Sequence, residues 1–154
     1  MSTKKNTVKD IEDWLDALFQ ASDLIISEHR LKSFKKKVWG IQAVEHKNVF
    51  NFIIIEDENP EIITLEMRSV LGKVPPGNEQ ALYQRCLELN YIFITGSIAL
   101  NEAEIWFVQK QHIRDITIEN LASMFVHQMS NTEKLDEILS DEFKLLEMGS
   151  PKSN

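Results

Sequence analysis

The chain has little cysteine, little glycine and no long apolar run. Cys86 is its single cysteine, so an intrachain disulfide and a Cys-based metal site are excluded, and a reducing compartment is expected. Apolar runs such as Phe52–Ile55 are four residues long, whereas a membrane helix needs about 20. The five glycines are scattered along the chain, which excludes a glycine-rich phosphate loop.

Positive charge is also in deficit. The 17 Lys and Arg residues face 24 Asp and Glu residues, which gives a net charge of −7. This charge argues against nucleic acid or an anionic membrane as the main partner. Five of the positive charges lie in the run RLKSFKKK at residues 30–37. We interpret this run as a solvated connector or strand start, with a contact to an acidic partner or a weak nucleic-acid patch as the alternative.

Catalytic and metal-binding motifs are absent from the sequence. There is no HExxH, no GxSxG and no Cys/His cluster. Glu102 and Glu104 are interpreted as the solvated tip of a hairpin. An enzyme would need a pocket in which His112 meets Glu104 or Asp115, because catalytic partners must come within hydrogen-bond reach. The other histidines are far apart in the sequence: His29, His46 and His127. We therefore predict no enzymatic activity, no cofactor and no metal.

Three helices are expected from apolar residues spaced three and four apart. The first covers Val8 to Phe19, and Thr7 with Asp10 forms a capping-box-like start. The second follows Asn78, with Leu82, Cys86 and Leu89 as its apolar stripe and Tyr83 and Leu87 widening it. The third begins near Thr117. Its segment Ser130–Glu133 has the pattern of a capping box, so either one long kinked helix or two helices are expected there.

Five strands are expected between the helices, because β-branched and aromatic residues alternate with polar ones. Short turns between consecutive strands favour antiparallel pairing. The order is therefore α-β-β-β-α-β-β-α, an α+β fold with a twisted antiparallel sheet and helices packed on one side. One domain over residues 1–148 and a flexible tail at 149–154 are predicted. The strands are placed at Val38–Val44, Val49–Ile55, Glu61–Leu71, Ile92–Leu100 and Ile105–Ile113.

This element order resembles the class I type III secretion chaperones and the related YbjN-like proteins. The most specific stretch is LYQRCLELNYIFITGSIALNEAEIWFVQKQHI, in which a helix ends in a Leu-x-x-Asn turn and is followed by a strand and a hairpin. The positions that fit the family are Leu87, Asn90, Ile98, Leu100, Ile105 and Phe107. The chain differs from the secretion chaperones in its first turn, EDENPE, which lacks glycine, in its basic run, and in an acidic segment after Ser130.

The resemblance implies a non-enzymatic homodimer that binds an extended segment of a client protein. The residues after Met1 lack the apolar region of a targeting signal, so the cytoplasm is the expected location. Family dimers are built around the middle helix, so the expected dimer interface is Leu82, Tyr83, Cys86 and Leu89. Aromatic residues left at a surface are the usual anchors of protein interfaces, and the expected client contacts are Trp14, Phe19, Trp39 and Trp106. A YbjN-like protein with a regulatory or unknown role is the first alternative. A small-ligand binder or an enzyme with a pocket between sheet and helices is the second.

Overall fold

A computed structural model describes residues 5–22, 25–27, 38–45, 48–59 and 61–144. The basic run at 30–37 and the predicted tail at 149–154 lie outside these residues. The predicted α-β-β-β-α-β-β-α order is confirmed, with a three-residue strand added before the first predicted one. The elements are α1 Val8–Gln20, β1 Ile25–Ser27, β2 Val38–Glu45, β3 Asn48–Glu56, β4 Ile63–Lys73, α2 Glu79–Ile92, β5 Ser97–Asn101, β6 Glu104–His112, a 3₁₀ turn Ile113–Asp115, and α3 Ile118–Phe143.

The six strands form one antiparallel sheet in the order β1-β2-β3-β4-β6-β5. Successive side chains of a strand point to opposite faces, so the register decides which residues face the helices. Phe52 of β3 pairs with Met67 of β4, and Ser69 of β4 pairs with Phe107 of β6. All four are buried at the face that the helices cover. The predicted one-sided packing is therefore confirmed.

The first helix begins as its capping box predicts. Thr7 Oγ1 accepts a hydrogen bond from the Asp10 N–H at 3.2 Å, and Asp10 Oδ2 accepts one from the Thr7 N–H at 2.8 Å. Ile11, Leu15 and Phe19 are buried against the sheet. These three positions recur at steps of four residues, which keeps them on one face of the helix.

Two apolar clusters fill the space between the sheet and the helices. The first contains residues of α1 with β3, β4 and the first half of α3, among them Phe19, Phe52 and Phe125. The second contains residues of α2 with β4, β6 and the second half of α3, among them Leu82 and Phe107. Because both clusters include α3, this helix ties the two halves of the core together.

A layer of buried polar side chains lies at the middle of α3 and faces the sheet. Gln128 is fully buried, and its Nε2 donates to Ser69 Oγ at 2.8 Å and to the Phe107 carbonyl at 3.1 Å. Gln128 Oε1 accepts from Gln109 Nε2 at 3.0 Å. Ser69 Oγ and Thr132 Oγ1 are hydrogen-bonded at 3.0 Å, with Ser69 as the donor because the Thr132 proton goes to the Gln128 carbonyl. Each of these groups therefore has a partner inside the protein.

This layer explains why α3 is one helix of 26 residues. The sequence left open one helix or two, and the capping box predicted at Ser130–Glu133 is wrong. Ser130, which would cap the second helix, lies inside the continuous helix Ile118–Phe143. The nearby Thr132 hydroxyl bonds to the Gln128 carbonyl one turn earlier and to Ser69 of the sheet. Polar residues in the middle of a helix can satisfy such bonds without ending it.

The fifth strand begins later than predicted. The sequence placed it from Ile92, whereas α2 continues to Ile92 and β5 begins at Ser97. Gly96 has a φ of 77°, a left-handed conformation that separates the loop from the extended strand. A Cβ at Gly96 would lie 2.6 Å from Phe107 Cζ, so glycine is required there for close packing as well.

Candidate protein-binding surfaces

The middle helix presents apolar residues on two faces. Leu82, Cys86 and Leu89 face inward and lie in the second apolar cluster. Tyr83, Leu87 and Tyr91 follow one another at steps of four residues, so they form a second stripe on a different face of the helix. We call these three residues the α2 apolar surface.

The α2 apolar surface is strongly exposed. The exposed fractions are 36% for Tyr83, 70% for Leu87 and 93% for Tyr91. Large apolar side chains also stand exposed just after it in the chain, at Ile92, Ile94 and Leu100. Single exposed apolar residues are common, but large apolar side chains that follow one another on one face of a helix make this stripe a candidate interaction surface.

The residues predicted for the dimer interface fall on both faces of α2. Leu82, Cys86 and Leu89 are 0%, 7% and 2% exposed, so they belong to the core of this chain. Tyr83 is the one predicted residue of the four that lies on the exposed face. Burial raises the pKa of the Cys86 thiol, which makes it a packing residue and not a reactive thiolate.

An exposed ion pair fixes α2 to the end of α3. Arg85 Nε donates to Glu142 Oε2 at 2.9 Å, and Arg85 Nη2 donates to Glu142 Oε1 at 3.1 Å. This side-chain hydrogen bonding to Glu142 raises the pKa of Arg85. The pair is bidentate, a geometry that orients both side chains. The pair joins α2 to α3 on one side of the helix, whereas the α2 apolar surface lies exposed on the other side.

The residues predicted for client contacts lie in different surroundings. Phe19 is buried, with its ring centroid 5.0 Å from that of Phe52, and belongs to the core. Trp14 is partly buried at the edge of the first apolar cluster. The backbone of Trp39 belongs to β2, whereas its side chain lies outside what the structure describes. Among the client-contact side chains that the structure describes, Phe19 lies in the core, so they do not form one surface.

Trp106 lies on the face of the sheet opposite the helices, because it is adjacent in β6 to the inward-facing Phe107. Its Nε1 donates to Glu104 Oε2 at 2.8 Å, and the Arg68 guanidinium lies 4.4 Å from the centre of its ring. Desolvation lowers the pKa of Arg68, and Glu66 and Glu104 oppose this shift. Arg68 Nε is buried without a hydrogen-bond partner. Trp106 therefore contacts two side chains of its own sheet, Glu104 and Arg68.

The edge strand β5 is bonded to the last turn of α2. Asn90 Nδ2 donates to the Ile98 carbonyl at 3.2 Å, and Asn90 Oδ1 accepts from the Ile98 N–H at 2.6 Å. No described strand lies on this side of β5. The resemblance marked Asn90 as a position that fits the family, but the sequence did not indicate that its side chain pairs with an edge strand.

Two of the candidates for catalysis, Glu104 and His112, lie far apart in the structure. Glu104 and His112 stand at opposite ends of β6, about 26 Å apart at the rise of an extended strand. The alternative of a Glu104–His112 pair is therefore wrong. His29 and His46 lie outside the described residues. Within the described residues, no group of three or more His, Cys, Asp or Glu side chains could hold a metal ion.

None of the helices in the described ranges combines the length and the apolar character that crossing a bilayer requires. No protein-family model and no curated protein sequence matches the chain.

Two solved structures are similar to this one. YbjN from E. coli, a candidate transcription regulator, matches with a TM-score of 0.55 and 15% sequence identity, over 94% of this chain and 98% of that chain. A chain of the HopA1–SchA chaperone–effector complex matches with a TM-score of 0.50 and 13% identity, over 81% of this chain and 88% of that chain. At these identities the likeness concerns the fold. The chain therefore has the YbjN-like, secretion-chaperone-like α+β fold that its element order predicts.

Proposed function

We propose that this chain is a non-enzymatic protein-binding module that acts as a homodimer and binds an extended segment of a client protein. The observation that carries the proposal is the exposed α2 apolar surface, Tyr83, Leu87 and Tyr91. The similarity of fold to a chain of a chaperone–effector complex supports the same function. The free, buried Cys86 thiol agrees with a reducing compartment, and we propose the cytoplasm.

The spacing of the α2 apolar surface suits a two-fold dimer. Leu87 lies four residues from Tyr83 and four from Tyr91, so the stripe is symmetric about its centre. An isologous interface requires such self-complementarity, since residue i of one protomer must meet residue j of the other and the reverse. In an antiparallel pair of α2 helices centred on Leu87, Tyr83 of one protomer packs against the partner's Tyr91.

The area available is sufficient for a modest interface. A Tyr or Leu side chain of this exposure covers about 100–200 Å², so the α2 apolar surface with Ile94 would bury on the order of 1,000 Å² in two protomers. This is near the lower limit for a specific interface. We therefore expect a dimer that dissociates on dilution and not an obligate one.

Disulfide trapping tests the register of this dimer. In a Cys86→Ala background, Leu87→Cys places one thiol per chain at the proposed two-fold axis. A disulfide needs Cα atoms about 4.4–6.8 Å apart, which an antiparallel helix crossing at this residue provides. We expect rapid formation of a covalent dimer, and we expect a mixture of Tyr83→Cys and Tyr91→Cys chains to form a mixed dimer.

Ala81→Cys in the same background is the matched control, since Ala81 is exposed on another face of α2. Ala81→Cys should form little disulfide-linked dimer under the same oxidising conditions. If Ala81→Cys cross-links as fast as Leu87→Cys, the disulfides report random collisions. If Leu87→Cys remains a monomer, the proposed dimer is wrong.

Client binding needs a separate test. The tagged chain is used to capture partners, and the complex is then digested with a protease to map the protected part of the partner. We expect one continuous protected segment, and a synthetic peptide of that segment should bind on its own. A partner that binds only as a folded domain, while every peptide from it fails, would contradict recognition of an extended segment.

A further inference from the structure

The main-chain groups of an edge strand alternate between its neighbour and the outside. Asn90 takes both the N–H and the carbonyl of Ile98, so these two groups of β5 point away from β6. Ile98 pairs with Phe107, and this is therefore a pair without mutual hydrogen bonds in the antiparallel ladder. The next residues with outward main-chain groups on this edge are two positions away, at Gly96 and Leu100.

The amide of Asn90 resembles the peptide group of a neighbouring strand. It places one donor and one acceptor side by side, as an added strand would at this position. Gly96 cannot extend the edge in the other direction, because its φ of 77° is not that of a strand. Leu100 is then the single described residue of β5 whose outward main-chain groups stay open to a partner. Two or more paired residues are needed to add a strand.

Exposed apolar residues next to Ile98 would make an open β5 edge prone to pairing with another chain. Ile94 and Leu100 are 99% and 50% exposed on either side of Ile98 in the sequence. An open edge strand with apolar neighbours is a template for pairing with another chain, and proteins block such edges in several ways. A side chain that occupies the central main-chain groups is one way to block it.

We propose that Asn90 closes the β5 edge to strand addition, so that a protein partner at this end of the molecule is bound by side chains of α2 and not by extension of the sheet. The closure follows from the contacts of Asn90 alone. The statement about the partner rests on the proposed function. The experiment distinguishes the closure of the edge from the proposed dimer, because it uses a chain in which Leu87→Asp disrupts the proposed dimer surface.

The test uses the full chain with Leu87→Asp, which places a charge at the centre of the α2 apolar surface. Asn90→Ala is added to this chain. We expect the Ile98 amide to exchange with solvent about tenfold faster, as the loss of one such hydrogen bond implies. We also expect the chain to self-associate with rising concentration, measured by light scattering, because a second copy can now pair with β5.

Gln84→Ala in the same background is the matched control. Gln84 is an exposed carboxamide on the same helix, and its Nε2 donates to Glu88 Oε1 at 3.4 Å. This variant should leave both the Ile98 exchange rate and the scattering unchanged. The Phe107 amide in β6 reports whether the sheet is intact, and its exchange should stay slow in every variant.

If Asn90→Ala disturbs the whole sheet, Asn90→Ser decides the matter, since a Ser hydroxyl is too short to bond to both groups of Ile98. It should show the same local exchange and association. Unchanged Ile98 exchange in a folded variant, or a variant that stays monomeric at every concentration at which the parent is monomeric, would overturn the proposal. Failure of the Leu87 disulfide test would leave this result unaffected.

Discussion

Replacement of Gln128 by Leu should destabilise the fold strongly although the new side chain has a similar volume. Gln128 is fully buried and makes hydrogen bonds with Ser69, Phe107 and Gln109. Leu fills most of the space, so the loss reports these bonds and not a cavity. Replacement of Gln128 by Asn or Ala would also leave a cavity, and the cost of the cavity would add to that of the lost hydrogen bonds.

The magnitude follows from what the partners retain. Ser69 Oγ keeps its hydrogen bond with Thr132 Oγ1, and Gln109 Nε2 still donates to the Met124 carbonyl. The cost is therefore that of three lost bonds at about 1 kcal/mol each, about 3 kcal/mol, and not the larger cost of several orphaned buried groups. For a chain of this length that corresponds to a melting temperature about 6–12 °C lower.

Thermal unfolding followed by circular dichroism measures this effect. Val126→Ala is the matched control, because Val126 lies on the same helix and is 59% exposed. A surface substitution of this kind should change the melting temperature by no more than about 2 °C. If Gln128→Leu also stays within that range, the polar layer does not stabilise the fold, and the account of α3 given above is wrong.

Two further predictions concern single positions. Alanine should destabilise the fold by backbone strain at both Gly96 and Gly77, since φ is positive at both. At Gly96 alone of these two, the added Cβ would also lie 2.6 Å from Phe107 Cζ. Gly96→Ala should therefore melt below Gly77→Ala, and equal melting temperatures would contradict the close contact. Because burial raises the pKa of Cys86, the unfolded chain loses the thiol proton first, and stability should fall as pH rises above about 8.5, the ordinary thiol value. Cys86→Ala should remove this part of the alkaline loss, and an unchanged pH profile would show that the thiol does not contribute to it.

Much of the fold could be predicted from the sequence, because local signals agree with the tertiary structure. The Thr7–Asp10 capping box predicted the start of α1, and the β-branched and aromatic residues of Val49–Ile55 predicted the strand observed at Asn48–Glu56. Where local and tertiary signals disagree, the prediction failed. Ser130–Glu133 has a capping pattern, yet the Thr132 hydroxyl bonds to Ser69 and to its own helix, so α3 continues.

The candidate surface was harder to predict than the fold. The sequence predicted one apolar stripe on α2, Leu82, Cys86 and Leu89, widened by Tyr83 and Leu87, and it could not show which part of that stripe meets the sheet. Leu82, Cys86 and Leu89 were assigned to an interface, and they lie in the core. The signal that could have separated the faces is the second stripe, Tyr83 to Tyr91 at steps of four residues. The pairing of Asn90 with Ile98 depends on a long-range approach of α2 to β5, which no local pattern encodes.

Sedimentation equilibrium of the native chain beside Leu87→Asp tests the central claim most directly. We expect a reversible monomer–dimer equilibrium for the native chain, between 17.9 kDa and twice that mass. Leu87→Asp should shift this equilibrium to the monomer. At dilutions at which both chains are monomeric it should change the melting temperature little, because Leu87 is 70% exposed in the single chain. A native chain that sediments as a monomer at every concentration, or a dimer that Leu87→Asp leaves intact, would contradict the claim that the α2 apolar surface joins two copies.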